Sequence, residues 1–99
     1  MKTGRPIKMR RILKEPSVKQ FSPRGRAGRP ACVGLKFEEL EAIRLTDHLD
    51  LKQADAAKFM AVSQQTFSRV LSKARKRLAD ALVTGKIIKV NGGSFKFEK

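Results

Sequence analysis

The chain has 99 residues, which is enough for one domain with or without an arm and too few for two hydrophobic cores. Its formal net charge of +14, from 23 Lys and Arg against 9 Asp and Glu, predicts a polyanionic partner, with nucleic acid favoured over an anionic membrane surface. No apolar run approaches the roughly 20 residues of a membrane-spanning helix and no signal-peptide core follows the N-terminus, so we expect a cytoplasmic protein without a membrane partner.

The residue types that usually carry catalysis or bind metals are sparse. Cys32 is the only cysteine, so no internal disulfide can form, and His48 is the only histidine. Neither has a partner at metal-ligand spacing, and no base accompanies the thiol. We therefore expect no enzymatic activity, no metal and no cofactor.

Residues 1–36 are predicted to form a basic arm that is partly extended or disordered. They hold eleven Lys and Arg against Glu15 alone, and recurring prolines prevent a long helix. The tripeptide Gly-Arg-Pro, at residues 4–6 and 28–30, resembles AT-hook cores and the arms of DNA invertases. The resemblance implies insertion into a narrow minor groove, with three candidate residues, Arg5, Arg26 and Arg29. A diffuse contact with phosphates remains the alternative.

A first helix is predicted from Phe37 to about Leu49. Its apolar residues are expected to face inward, and these are Leu40, Ile43, Leu45 and Leu49. Three glutamates near its N-terminus suit the positive end of the helix dipole and are expected to face away from DNA: Glu38, Glu39 and Glu41.

A second helix is predicted from about Lys52 to Met60, with an apolar face made by Ala56, Ala57, Phe59 and Met60. Ala61 and Val62 then form a tight turn, and Ser63 suits the N-cap of the next helix. This order of a short helix, a tight turn and a second helix resembles a helix-turn-helix motif, which usually has glycine where Ala61 stands because that residue takes a positive φ. Alanine there costs about 1 kcal/mol.

The third helix continues to about Thr84 and ends at Gly85. Its apolar face follows helical periodicity and comprises Phe67, Val70, Leu71, Ala74, Leu78, Ala81 and Leu82. The helix is longer than a groove contact needs, so its C-terminal apolar residues are expected to pack on the first helix or on a second subunit. A homodimer is therefore an open alternative.

The opposite face of this helix carries hydrogen-bond donors and positive charge. Amide and guanidinium groups near the N-terminus suit base edges in a major groove, and the candidates are Gln64, Gln65, Ser68 and Arg69. Basic residues further along are expected to reach phosphates, and these are Lys73, Arg75, Lys76 and Arg77. An ordinary solvated face is the alternative interpretation.

The stretch A-A-K-F-M-A-V-S-Q-Q-T-F-S-R-V-L, residues 56–71, resembles the helix-turn-helix of region four of bacterial sigma factors. The runs E-E-L-E-A-I-R-L at 38–45 and A-D-A-L-V-T-G-K at 79–86 resemble a family of small uncharacterised bacterial and archaeal proteins predicted to bind DNA. These resemblances imply a helix-turn-helix fold and RNA polymerase as a further conceivable partner.

Two β-prone runs, Lys86 to Val90 and Ser94 to Phe97, flank Asn91-Gly92-Gly93, which predicts a hairpin. We expect that hairpin to pack on the domain, on an N-terminal strand or on another chain.

The predicted architecture is therefore mainly α, with a basic arm (1–36), a three-helix helix-turn-helix domain (37–85) and a short C-terminal β-hairpin (86–99). The predicted function is sequence-specific binding of double-stranded DNA in transcription regulation. An RNA-binding or ribosome-associated basic protein, or a sigma-like module docking on RNA polymerase, are the alternatives.

Overall fold

The computed structural model describes residues 10–25, 28, 30–93 and 95–97. They form three α-helices, one π-helical turn and five short strands. In chain order these are β1 (Arg10–Ile12), β2 (Gln20–Phe21), β3 (Cys32–Leu35), α1 (Phe37–Ile43), the π turn (Arg44–His48), α2 (Gln53–Phe59), α3 (Gln64–Thr84), β4 (Ile87–Val90) and β5 (Phe95–Phe97). The three helices expected from hydrophobic periodicity are confirmed.

The π turn continues α1 and alters its phase. The Leu49 amide donates to the Arg44 carbonyl at 2.9 Å, and the Thr46 hydroxyl donates to the Ala42 carbonyl at 2.8 Å. Because a π turn advances by a smaller angle per residue than an α-helix, the residues after it leave the inward face. The inward position expected for Leu49 is therefore wrong, and its side chain is 47% exposed.

The connection between α2 and α3 follows the predicted chemistry. Ala61 has φ of 57°, and the Ser63 hydroxyl accepts a hydrogen bond from the Thr66 amide at 3.1 Å. Gly85 ends α3 in the left-handed conformation with φ of 70°. The cap, the positive φ and the helix stop are thus confirmed. Phe59 of α2 does not join the core as expected and is 41% exposed.

The long helix α3 packs on two hydrophobic clusters. Its first half joins a cluster made with α1, the π turn and α2, in which the buried residues are Ala42, Leu45, Ala56, Ala57, Met60, Phe67 and Leu71. Its second half joins a cluster made with β3 and β4. The buried residues of this second cluster are Leu35, Ala74, Ala81, Ile88 and Val90. The extra length of α3 is therefore used largely to cover the sheet, although Leu82 stays 72% exposed.

β4 is the central strand of a three-stranded sheet. It runs antiparallel to β2, with Phe21 opposite Ile88, and parallel to β3, with Leu35 opposite Val90. A separate two-stranded sheet pairs β1 with β5 in parallel, and Ile12 of β1 is 1% exposed. The described residues between 10 and 35, which belong to the predicted basic arm, therefore also contribute three strands and buried side chains.

The predicted C-terminal hairpin is wrong, since β4 and β5 belong to different sheets. Both edges of β4 are occupied by β2 and β3, which leaves no edge for β5. Gly92 and Gly93 have φ of 72° and 108°, and their turn directs the chain towards β1. The turn was correctly located, but the strand beyond it pairs with an N-terminal strand.

Candidate nucleic-acid interface

The N-terminal half of α3 presents a polar face to solvent. Phe67, Leu71 and Ala74 are at most 1% exposed, and their three- and four-residue spacing turns the intervening residues outward. All four residues expected to contact bases are exposed, and they are Gln64, Gln65, Ser68 and Arg69. The fold therefore brings these four candidates together on one accessible surface.

The four residues expected to contact phosphates divide into two pairs. Lys73 and Lys76 are exposed, and neither takes part in an ion pair within the described part of the chain. The Arg75 guanidinium instead donates to both oxygens of Asp47 in the π turn, at 2.6 and 3.1 Å. Nη1 of Arg77 lies 2.7 Å from both carboxylate oxygens of Glu39 in α1. Two of the four guanidinium and ammonium groups thus hold α3 to other elements.

The Arg75–Asp47 pair affects the acidity of both groups. Hydrogen bonding to Arg75 lowers the pKa of Asp47 below its ordinary value, because the guanidinium stabilises the carboxylate. The same bond raises the pKa of Arg75. Both side chains are substantially exposed, so solvent screens the interaction.

The glutamates of α1 are buried and matched by cations from several segments. Glu38, Glu39 and Glu41 are 4%, 3% and 2% exposed. Glu41 accepts two hydrogen bonds from Arg44, at 2.7 and 2.9 Å, and one from the Leu13 amide at 3.0 Å. This hydrogen bonding raises the pKa of Arg44. Only the three-residue spacing of Glu41 and Arg44 could have indicated such a pair from the sequence.

Glu38 and Glu39 line a polar depression together with Arg69 and Lys73 of α3. These two glutamates, which are expected from the sequence to face away from DNA, therefore lie beside the donor-bearing surface of α3. Their charge is offset locally: Arg77 pairs with Glu39, and Arg10 lies 3.7 Å from Glu38. Arg10 was not predicted to take part in this surface, and no spacing signal links β1 to α1.

Other predicted site residues lie outside the described residues. These are the three candidates for minor-groove contact, Arg5, Arg26 and Arg29. Across residues 10–25, 28, 30–93 and 95–97, no group of three His, Cys, Asp or Glu side chains could hold a metal ion. Over the same residues, no helix is both long and apolar enough to cross a membrane.

The fold and its surface define a small basic domain of three helices and a three-stranded sheet, in which the longest helix packs on the sheet and exposes a polar, cationic face. The family model described as "Protein of unknown function DUF134" matches residues 1–98, and the chain belongs to that family.

Relatives occur in both bacteria and archaea. The UPF0251 protein of Caldicellulosiruptor saccharolyticus is 50% identical over 95 residues, covering 96% of this chain and 67% of that protein. The UPF0251 protein of Desulforudis audaxviator is 46% identical over 98 residues, covering 95% and 62% respectively. That of Methanococcus maripaludis strain C5 is 42% identical over 97 residues, covering 97% and 75%. The chain thus spans about two thirds of the length of the first of these relatives and less of the second. No solved structure matches it.

Proposed function

We propose that this protein binds double-stranded DNA in a sequence-specific manner and acts in transcription regulation, with α2 and α3 forming a helix-turn-helix. The observation that carries the proposal is the exposed set of Gln64, Gln65, Ser68 and Arg69, which lies at the start of a helix preceded by a tight turn and a short supporting helix.

Hydrogen-bond chemistry supports base reading by these side chains. A glutamine amide can pair bidentately with adenine, and an arginine guanidinium with guanine, when the N-terminal end of a helix enters the major groove. Ala56 and Ala57 of α2, with Met60 directly after it, pack against the inner face of α3, so α2 supports the helix without covering its outer face. The base-contact residues therefore remain accessible to a groove.

The ion pairs refine the assignment of phosphate contacts. Lys73 and Lys76 are the favoured phosphate ligands of α3, because Arg75 and Arg77 are already bound by Asp47 and Glu39. Arg75 and Arg77 then act by holding α3 in position. The net charge of +14 supplies attraction to the backbone that is independent of sequence.

The proposal is tested by selecting bound sequences from a random duplex pool and then measuring variants on the selected site. Arg69→Ala and Gln65→Ala should each lose about 1 to 3 kcal/mol on that site and relax the preference at one position. Lys76→Ala is the matched control. It should weaken binding to all sequences alike and reduce the slope of log affinity against log salt concentration by about one unit. If Arg69→Ala weakened every sequence equally, the base-reading role would be refuted.

Competition experiments separate the alternatives. Structured RNA that displaces the selected duplex at equal concentration would favour an RNA-binding or ribosome-associated protein. If the duplex pool yields no preferred sequence and the protein forms a salt-insensitive complex with purified RNA polymerase, a polymerase-docking module would be favoured. A palindromic selected site would indicate a two-fold homodimer, and a short asymmetric site would indicate a monomer.

A further inference from the structure

A groove of about 490 Å³ lies between the segment connecting β1 to β2 and the surface of α1 with its π turn. Its volume falls in the range of small-molecule sites, roughly 300 to 1,000 Å³. Apolar side chains make most of its wall, and the main ones are Val18, Phe21, Phe37, Leu40, Ile43 and Leu49. None of these residues is among the predicted DNA contacts.

Three large apolar side chains converge on this groove while remaining about half exposed. Val18 is 49% exposed, Phe21 52% and Leu49 47%, and they come from a loop, from β2 and from the end of the π turn. A single exposed apolar residue is ordinary on a protein surface. Three that meet around one concavity leave apolar area that a ligand can cover.

The polar groups around the groove favour an anion. Lys14, Arg44 and His48 line it; Arg44 is paired with Glu41, and the Lys19 ammonium, 5.7 Å from the centroid of the Phe37 ring, is paired with Glu15, so Lys14 supplies the available positive charge. Glu41 is the only acidic side chain in the described lining, and its carboxylate is buried and already accepts hydrogen bonds from Arg44 and from the Leu13 amide. Negative charge on the groove is thus neutralised, whereas Lys14 is exposed at its edge.

We propose that this groove binds a small apolar anion, meaning an aromatic or aliphatic body that carries one carboxylate or sulfonate. The apolar body covers Val18, Phe21 and Leu49, and the anionic group lies next to Lys14. The inference does not rest on DNA binding. The π turn lines this groove and also contacts α3, because Asp47 of the turn pairs with Arg75 of α3.

The test uses two probes that share one aromatic body and differ in whether they carry a sulfonate group. These are 1-anilinonaphthalene-8-sulfonate and its neutral counterpart N-phenyl-1-naphthylamine, with binding measured by fluorescence and located by amide chemical shifts. Moderate salt suppresses diffuse attraction of the sulfonate to a protein of net charge +14. The sulfonate should bind more tightly than the neutral probe, and the shifts should centre on Val18, Phe21, Leu40 and Leu49.

Substitutions then test the location. Leu49→Glu should weaken sulfonate binding at least about tenfold, because it places a carboxylate against the probe. Lys14→Gln should weaken the sulfonate about threefold and leave the neutral probe unchanged, as expected for one exposed charge pair. Leu82→Glu is the matched control, since it puts the same charge on a 72% exposed leucine elsewhere and should leave binding unchanged.

Each other outcome counts against the proposal. Equal weakening by Leu49→Glu and Leu82→Glu, or shifts spread over the basic surface, would mean diffuse adsorption. If Leu49→Glu does not fold, Val18→Glu in the loop replaces it with the same expected result. Conversion of a dimer to a monomer by either substitution, seen by sedimentation, would mean that a second copy of the chain occupies the groove.

Discussion

Nη1 of Arg77 in α3 lies 2.7 Å from both carboxylate oxygens of Glu39 in α1, across 38 residues of sequence. The same carboxylate accepts a hydrogen bond from the Lys36 amide at 2.8 Å, so it also caps the start of α1. Its side chain is 4% exposed, while that of Arg77 is 39% exposed. One buried carboxylate therefore holds the N-terminus of α1 and the helix α3 together.

Glu39→Gln should lower the free energy of unfolding by about 1 to 2 kcal/mol. It removes the charge of a buried carboxylate that accepts hydrogen bonds from both Lys36 and Arg77. Urea unfolding at neutral pH measures the loss. Glu15→Gln is the control, since Glu15 and Lys19 form a pair with both side chains more than half exposed, and less than about 0.5 kcal/mol is expected there. Equal losses in the two variants would show that solvent screens the Glu39–Arg77 pair just as strongly.

Asp47→Asn should have a pH-dependent effect on stability. The folded pKa of Asp47 is lowered from 3.8, so its pairing with Arg75 stabilises the fold above that value and the contribution is lost as pH falls through the folded pKa. The wild-type protein should exceed the variant by less than about 1 kcal/mol near neutral pH, since the pair is largely exposed. Urea unfolding of both proteins across the acid range should show the difference shrinking. A difference that grew on acidification would contradict this assignment.

Ala61→Gly should raise the free energy of unfolding by up to about 1 kcal/mol, because φ of 57° strains a residue with a Cβ. Ala54→Gly makes the same substitution at an exposed position inside α2 and should lower stability by about 0.5 to 1 kcal/mol. Thermal unfolding of both variants measures two effects of opposite sign. A loss at both positions would mean that the turn does not hold residue 61 at positive φ in solution.

Arg29→Lys tests the minor-groove hypothesis with one substitution that leaves β1 and β2 in the chain. Deleting residues 1–30 would remove β1 and β2 together with buried Ile12, so loss of binding could simply reflect unfolding. The substitution keeps the charge but replaces a planar, weakly hydrated guanidinium by a strongly hydrated ammonium. Insertion into a narrow groove predicts a lost preference for A·T pairs beside the selected site, measured by repeating the duplex selection. An unchanged preference would leave Arg29 as a diffuse phosphate contact.

Local features of this protein were predictable because their causes lie within a few residues. The Ser63 cap depends on an amide three positions away, the stop at Gly85 on one left-handed residue, and the positive φ of Ala61 on the tight turn around it. The exposure of Gln64, Gln65, Ser68 and Arg69 follows from the helical phase that the buried Phe67, Leu71 and Ala74 set. The sequence by itself thus determined the three helices and which residues share the outer face of α3.

Only the tertiary structure decided which strands pair and which cations are engaged. The turn at residues 91–93 is compatible with a hairpin, but β2 and β3 occupy both edges of β4, and their backbone groups carry no residue-specific signal of that pairing. Arg75 and Arg77 are basic residues in the same stretch of α3 as Lys73 and Lys76. Their carboxylate partners, however, lie 28 and 38 residues away in the sequence. Long-range ion pairs and strand order depend on how separate segments meet in space, which local periodicity does not encode.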